Sequence, residues 1–111
     1  MKVTIKATNL NLTPEIEKAI EEKIGTLDKF IPHIDASVEA FVEVAVETLH
    51  HKKGKIFYAE ANIKVPGEII RSEAREENIY KAINTVKDEL QALLKKHKER
   101  QNEKKHDKIK D

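Results

Sequence analysis

Apolar residues recur with a period of two in four stretches of the chain and with a period of three to four in two others. Residues 2–7, KVTIKA, send Val3, Ile5 and Ala7 one way and Lys2, Thr4 and Lys6 the other, the pattern of a half-buried strand. Residues 36–47 alternate most clearly. Val38, Ala40, Val42, Val44 and Val46 read as inward, and Glu39, Phe41, Glu43, Ala45 and Glu47 as outward. Lys55–Val65 gives a third strand with Phe57, Ala59, Ala61, Ile63 and Val65 inward. Pro66-Gly67 signals a tight turn, and Glu68–Arg75 follows as a fourth strand with Ile70, Ser72 and Ala74 inward.

The helical periods fall between strands one and two and after strand four. Thr13-Pro14 supplies an N-cap and a first-turn proline, and Glu15 and Glu17 suit the positive end of a helix. Its stripe is Ile16, Ala19, Ile20, Ile24, Leu27 and Ile31, with Gly25 read as a point of close packing and Pro32 as the stop. The second helix runs from Glu76 to about Arg100, with Ile79, Ala82, Ile83, Val86, Leu90, Leu93, Leu94 and His97 on one face. Glu76 and Glu77 would form its acidic first turn. Residues 101–111 are polar and read as a disordered tail on a single domain of residues 1–100.

The order is βαβββα. Strands two to four make an antiparallel meander, and strand one joins strand two in parallel through a right-handed crossover. Every strand has one apolar face, so both helices cover that face of a mixed four-stranded sheet. The fold class is a two-layer α+β domain.

Composition narrows the chemistry. There is no Cys and no Trp, so the core is aliphatic, without disulfides or thiolate ligands. No long apolar run suggests a signal peptide or a membrane span, and the expectation is a cytoplasmic protein with no membrane partner. The only serines, Ser37 and Ser72, have no evident base nearby, and no glycine-rich phosphate loop is present. His50-His51 is a pair of adjacent ligand types without a matching third group. Neither an enzyme nor a metal, a cofactor or a small-molecule substrate is expected.

Charge is more informative in its distribution than in its sum. The net charge is +1, but residues 48–64 carry four Lys against one Glu, and residues 95–111 carry eight basic residues against four acids. Two basic clusters result. One is His50, His51, Lys52, Lys53 and Lys55 in and beside a hairpin; the other is Lys87, Lys95, Lys96, Lys98 and Arg100 on the long helix. Solubility, edge protection and the helix dipole account for such clusters in many proteins. A helix and a loop laid on structured RNA use the same pairing, because A-form phosphates are read by shape. On the outward sheet face, Phe41, Ile56, Tyr58 and Ile69 suggest a small apolar patch suited to a protein partner.

Several blocks, in order, resemble the ribosome hibernation factor family, whose members include short hibernation-promoting factors and ribosome-associated inhibitor A. The family is also described as ribosomal subunit interface or sigma-54 modulation proteins. The blocks are KVTIKATNLNLTPEIEKAI, Thr26-Leu27-Asp28-Lys29-Phe30, GEIIRSEAREENIYKAI and Lys95-Lys96-His97-Lys98-Glu99-Arg100, and the resemblance covers roughly residues 1–100. Departures are Thr26 and Glu89, each where Lys is usual, and Ala92-Leu93 where a basic residue and Gln are usual, with Lys87 a compensating charge. The resemblance implies a fold similar to double-stranded-RNA-binding domains and a monomeric translation inhibitor of idle ribosomes, of the short form. It would bind rRNA in the small-subunit channel and block mRNA and A- and P-site tRNA without chemistry. Two rivals stand beside it: a protein-interaction module using the open sheet face, and a generic binder of double-stranded RNA.

Overall fold

The four alternating stretches pair into one sheet, β1 (Lys2–Thr8), β2 (Glu39–Thr48), β3 (Lys55–Val65) and β4 (Glu68–Glu76), in the spatial order β1-β2-β3-β4. The computed structural model describes residues 1–31, 38–48 and 54–110, with side chains to residue 102. β1 and β2 are parallel, and the two later pairs are antiparallel. The crossover from β1 to β2 carries α1 (Pro14–Gly25), and α2 (Ile79–Lys110) follows β4. The α+β fold and the βαβββα order expected from the sequence are those observed.

Register follows from burial. A one-residue slip would turn every inward side chain to water, so the alternation fixes the pairing. The inner rows run Val3–Ala40–Ile63–Ile70, then Ile5–Val42–Ala61–Ser72, then Ala7–Val44–Ala59–Ala74. Side chains shrink from the first row to the third, which leaves depth for helix residues. Ile16, Ile20 and Ile24 of α1 and Ile83, Val86, Leu90 and Leu94 of α2 are buried in the same core as these rows.

Both helix starts are capped by side chains. Thr13 Oγ1 accepts from the Ile16 amide at 3.2 Å, with Pro14 in the first turn, as the sequence suggests. The α2 cap was not anticipated. Asn78 Oδ1 accepts from the Tyr80 and Lys81 amides at 2.7 and 3.3 Å. Glu76 belongs to β4, opposite Phe57, so α2 begins three residues later than expected and has no acidic first turn.

Two further expectations need correction. α1 ends at Gly25 and a 3-10 turn, Thr26–Phe30, carries Leu27 into the core. A Cβ at Gly25 would meet nothing within 4 Å, so this glycine serves no close packing. At the other end, α2 continues to Lys110, ten residues past its expected end near Arg100. Residues 101–110 contain no Gly or Pro and are mostly good helix formers, so adding residues to a formed helix costs little. The strand start at 36–37, Ser37 and Pro32 lie outside the described residues.

Candidate nucleic-acid interface

Helix α2 sets the geometry of the basic end. Ile79, Ala82, Ile83, Val86, Leu90, Leu94 and His97 are all buried, at spacings of three and four. That stripe fixes the rotation of the helix about its axis. With about 100° between successive residues, Lys96 and Lys98 must leave the helix on opposite flanks of buried His97, and Lys95 points nearly away from the core. All three are exposed, and among the described residues none of them forms an ion pair. The basic end is thus three cations spread around the outer half of a rod, not one flat row.

The other two cations expected on this helix are engaged. Lys87 is half-buried and lies 3.6 Å from Asp88. Arg100 is exposed, but its guanidinium donates to Glu68 Oε1 at 2.5 Å. The same oxygen accepts from His97 Nδ1 at 2.5 Å. These two donors, His97 first, hold the Glu68 carboxyl below the usual carboxylate range. Glu89, which departs from the resembled family, accepts from the Ser72 hydroxyl and so ties α2 to β4.

Lys55 and the basic end of α2 are not brought together. Lys55 pairs with Thr48 at the start of β3, whereas Val65 at its far end pairs with Glu68, the residue that holds Arg100. Ten steps of strand put Lys55 and the basic end of α2 roughly 33 Å apart, at opposite ends of the sheet. His50, His51, Lys52 and Lys53 lie outside the described residues.

One basic residue was missed as a site candidate. Lys29 and Lys95 place their ammonium groups 5.2 and 5.5 Å from the centroid of the Phe30 ring. This cation–π arrangement joins the 3-10 turn to α2 and adds Lys29 to the basic surface. The Lys-Phe pair is plain in the sequence, but its contact with Lys95 depends on how the helices pack.

The outer sheet face does not form the expected apolar patch. Tyr58 is buried on that face: its hydroxyl donates to Glu60 and lies 2.9 Å from Glu73 Oε2, and the Arg75 guanidinium sits 4.8 Å above its ring. Burial, then the two carboxylates, push the Tyr58 phenol well above its ordinary value. Phe41 and Ile69 are exposed but lie on β2 and β4 with β3 between them, and Ile56 is half-buried at the other end of the sheet. Between them Glu43, Glu60 and Glu73 stand side by side in one cross-strand row. Arg71 donates to Glu60 at 3.0 Å and to Glu73 at 3.3 Å, and the Thr8 hydroxyl donates to Glu43 at 2.9 Å, offsetting the like-charge contact. Glu60 is held below the usual carboxylate range by Tyr58 first and Arg71 second. The result is a polar, charge-balanced surface, unlike a base-stacking platform.

No group of three or more His, Cys, Asp or Glu side chains suited to a metal occurs among the described residues. No helix among them is long and apolar enough to cross a membrane.

Comparison with known proteins agrees with this architecture. The chain is 31% identical over 101 residues to the ribosome hibernation promoting factor of Pseudomonas putida, covering 91% of this chain and 90% of that one. It is 34% identical to the protein of that name from Azotobacter vinelandii, covering 91% and 86%. Against the ribosome hibernation promotion factor of Bacillus subtilis it is 32% identical over 104 residues, 94% of this chain but only 52% of the longer relative. Among solved structures, the N-terminal domain of Thermus thermophilus Protein Y superposes with a TM-score of 0.73 at 26% identity, over 87% of this chain and 99% of that one. A ribosomal subunit interface protein from Coxiella burnetii shares the fold at 19% identity, with a TM-score of 0.70 over 88% and 98%. The family model described as Sigma 54 modulation protein / S30EA ribosomal protein matches residues 3–102, nearly the whole described fold, and the chain belongs to that family.

Proposed function

We propose that this chain is a ribosome-binding hibernation factor, a cytoplasmic monomer that docks on rRNA in the channel of the small subunit between head and body. There it would occupy the path of mRNA and the A and P sites for tRNA, and inhibit translation by volume and charge alone. The observation that carries the reading is the set of exposed cations Lys95, Lys96 and Lys98. They sit on a helix end oriented by its buried opposite side, in a chain whose relatives are named for ribosome hibernation. Lys29 extends the surface across the helix pair. Lys55 offers a second contact at the other end of the molecule, His50, His51, Lys52 and Lys53 would add charge to it, and Lys87 and Arg100 support the helix and contribute charge.

The test is sedimentation with purified small subunits, in parallel with inhibition of a cell-free translation reaction. Reversing Lys95, Lys96 and Lys98 to Glu should abolish both with the fold intact, because the three side chains are exposed and the contact of Lys95 with the Phe30 ring is the one packing contact given up. Free RNA duplex should compete poorly. Wild-type binding and inhibition by the triple variant would overturn the reading, and equal affinity for free duplex would favour a generic double-stranded-RNA binder.

A further inference from the structure

The basic end of α2 is held in place from one side by a single carboxylate. Three residues of β4 make polar contacts with the described part of this helix, at successive points along its length. Glu76 meets Lys81 Nζ at 3.7 Å and Thr85 Oγ1 at 3.4 Å, Ser72 donates to Glu89, and Glu68 accepts from both His97 and Arg100. The last is the one nearest the basic end. Beyond Arg100 the helix runs ten residues further, an overhang of about 15 Å.

Each participant at that last contact has a structural reason to be where it is. Gly67 takes a positive φ of 86° in the Pro66-Gly67 turn, which delivers Glu68 at the very start of β4. His97 is only 3% exposed, and its Nε2 has no hydrogen-bond partner among the described residues. Among the described residues Glu68 is therefore the one polar partner of a buried ring. Arg100 lies one turn beyond His97 and closes the same oxygen from outside. A small depression of about 230 Å³, lined by Pro66, Gly67, His97 and Arg100 among others, marks the junction. The three side chains come from positions 29 and 32 residues apart in sequence, so this is a tertiary tie and not a helix-surface pair.

We infer that Glu68 is a positioning residue for the anion-binding end of α2, and that Arg100 serves as its strut and not as a phosphate contact. The inference rests on the reading of this end as the rRNA-binding surface. Glu68 sets the angle at which Lys95, Lys96 and Lys98 leave the body of the protein, so that a rigid partner meets all of them at once. An acid beside a polyanion-binding surface would, by charge alone, weaken binding. On this inference its removal should do the reverse of what charge predicts.

That sign is the test. Glu68→Ala makes the protein more positive by one charge, and simple electrostatics predicts tighter binding to small subunits. Positioning predicts binding weaker by at least about threefold, as expected for a lost ion pair that has to hold a geometry. Glu68→Gln keeps an acceptor for the His97 ring and removes the charge, so it serves if the alanine variant folds poorly; it should lose affinity in the same direction. Arg100→Gln should leave the slope of log affinity against log salt unchanged, whereas Lys96→Gln should lower it by about one.

Amide hydrogen exchange of the free full-length protein forms the second arm. Residues 97–102 should exchange faster in both Glu68 variants, with the amides of β2 and β3 unaffected. Tighter binding by the Glu68 variants, unchanged exchange at 97–102, or a slope that falls in Arg100→Gln as it does in Lys96→Gln would each overturn the inference. The exchange arm needs no ribosome. If the wild-type protein fails to bind small subunits, the proposed function falls while exchange still decides whether Glu68 holds the helix.

Discussion

Val44 stands at the centre of β2 in a row whose other members are Ala7, Ala59 and Ala74. It is 0% exposed. Because its cross-strand neighbours are alanines, no larger side chain in the row is available to move into space that Val44 vacates. Val44→Ala removes two methyl groups, a transfer loss of about 1.6 kcal/mol, and the cavity left in a packed interior raises the total to about 2–3 kcal/mol. In a domain of this size each kcal/mol moves the melting midpoint by roughly 4 °C, so the variant should melt about 8–12 °C lower. Val44→Asp puts an unpaired carboxylate at the same place, at a cost comparable to the whole stability expected of such a domain, and should not fold. Thermal unfolding followed by circular dichroism reads both. If Val44→Ala melts within a degree or two of wild type, the inward register of β2 and the packing of helices over the alanine row are wrong.

Asn78→Ala removes the α2 cap and should lower the melting midpoint by a few degrees, equivalent to about 1 kcal/mol; no change would mean the Asn78 bonds are idle. Gly25→Ala should raise it by an amount equivalent to about 0.5–1 kcal/mol, since Gly25 has helical backbone angles (φ −60°, ψ −30°) and open space around its Cα. Deleting residues 103–111 should leave the midpoint where it is, because among the described residues the buried stripe ends at His97; a fall of many degrees would show a docked segment. Hydrogen-bonding partners hold Glu60 and Glu68 below the usual carboxylate range in the folded protein, so the stability they confer is present at neutral pH and lost as pH falls through their lowered folded values. Glu68→Gln should flatten that acid limb, which urea titrations at pH 7 and pH 3 would measure, and an unaltered limb would remove Glu68 from the account.

What could be read from the sequence followed from how local its causes were. The bounds of β3 and the inward sets of all four strands were legible because a half-buried strand writes its burial into a period of two. Thr13-Pro14 was legible because a cap needs only neighbours in sequence. Asn78 was missed since Glu76 and Glu77 also look like the start of a helix, and only the pairing of Glu76 with Phe57 assigns it to a strand. Tyr58 looked exposed because its alternation is outward. Its burial depends on Arg75 and Glu73, which reach it only through strand pairing. Arg100 was grouped with the free cations for the same reason, since Glu68 lies 32 residues away.

The net charge of +1 sits badly with a polyanion partner only if charge is taken as a sum. On the outer sheet face Lys2, Lys6, Lys64, Arg71 and Arg75 are matched by Glu39, Glu43, Glu47, Glu60 and Glu73, so that face contributes little field. On the helical layer α1 is net acidic, and the cations without an ion-pair partner among the described residues gather locally, at Lys29, Lys95, Lys96 and Lys98. Its reach in physiological salt is a Debye length of about 8 Å. A protein charged in this way gains little from long-range attraction and has to meet phosphates at contact distance. Lys96 and Lys98 leave α2 on opposite flanks, so a flat or singly convex surface such as a free duplex engages one flank at a time. A groove or channel walled by phosphates on two sides engages both. On the proposed reading, this geometry, rather than net charge, is what selects the ribosomal channel over other RNA. The preference should then disappear when Lys96 and Lys98 are neutralised together, while weak binding through the remaining lysines persists on both ligands.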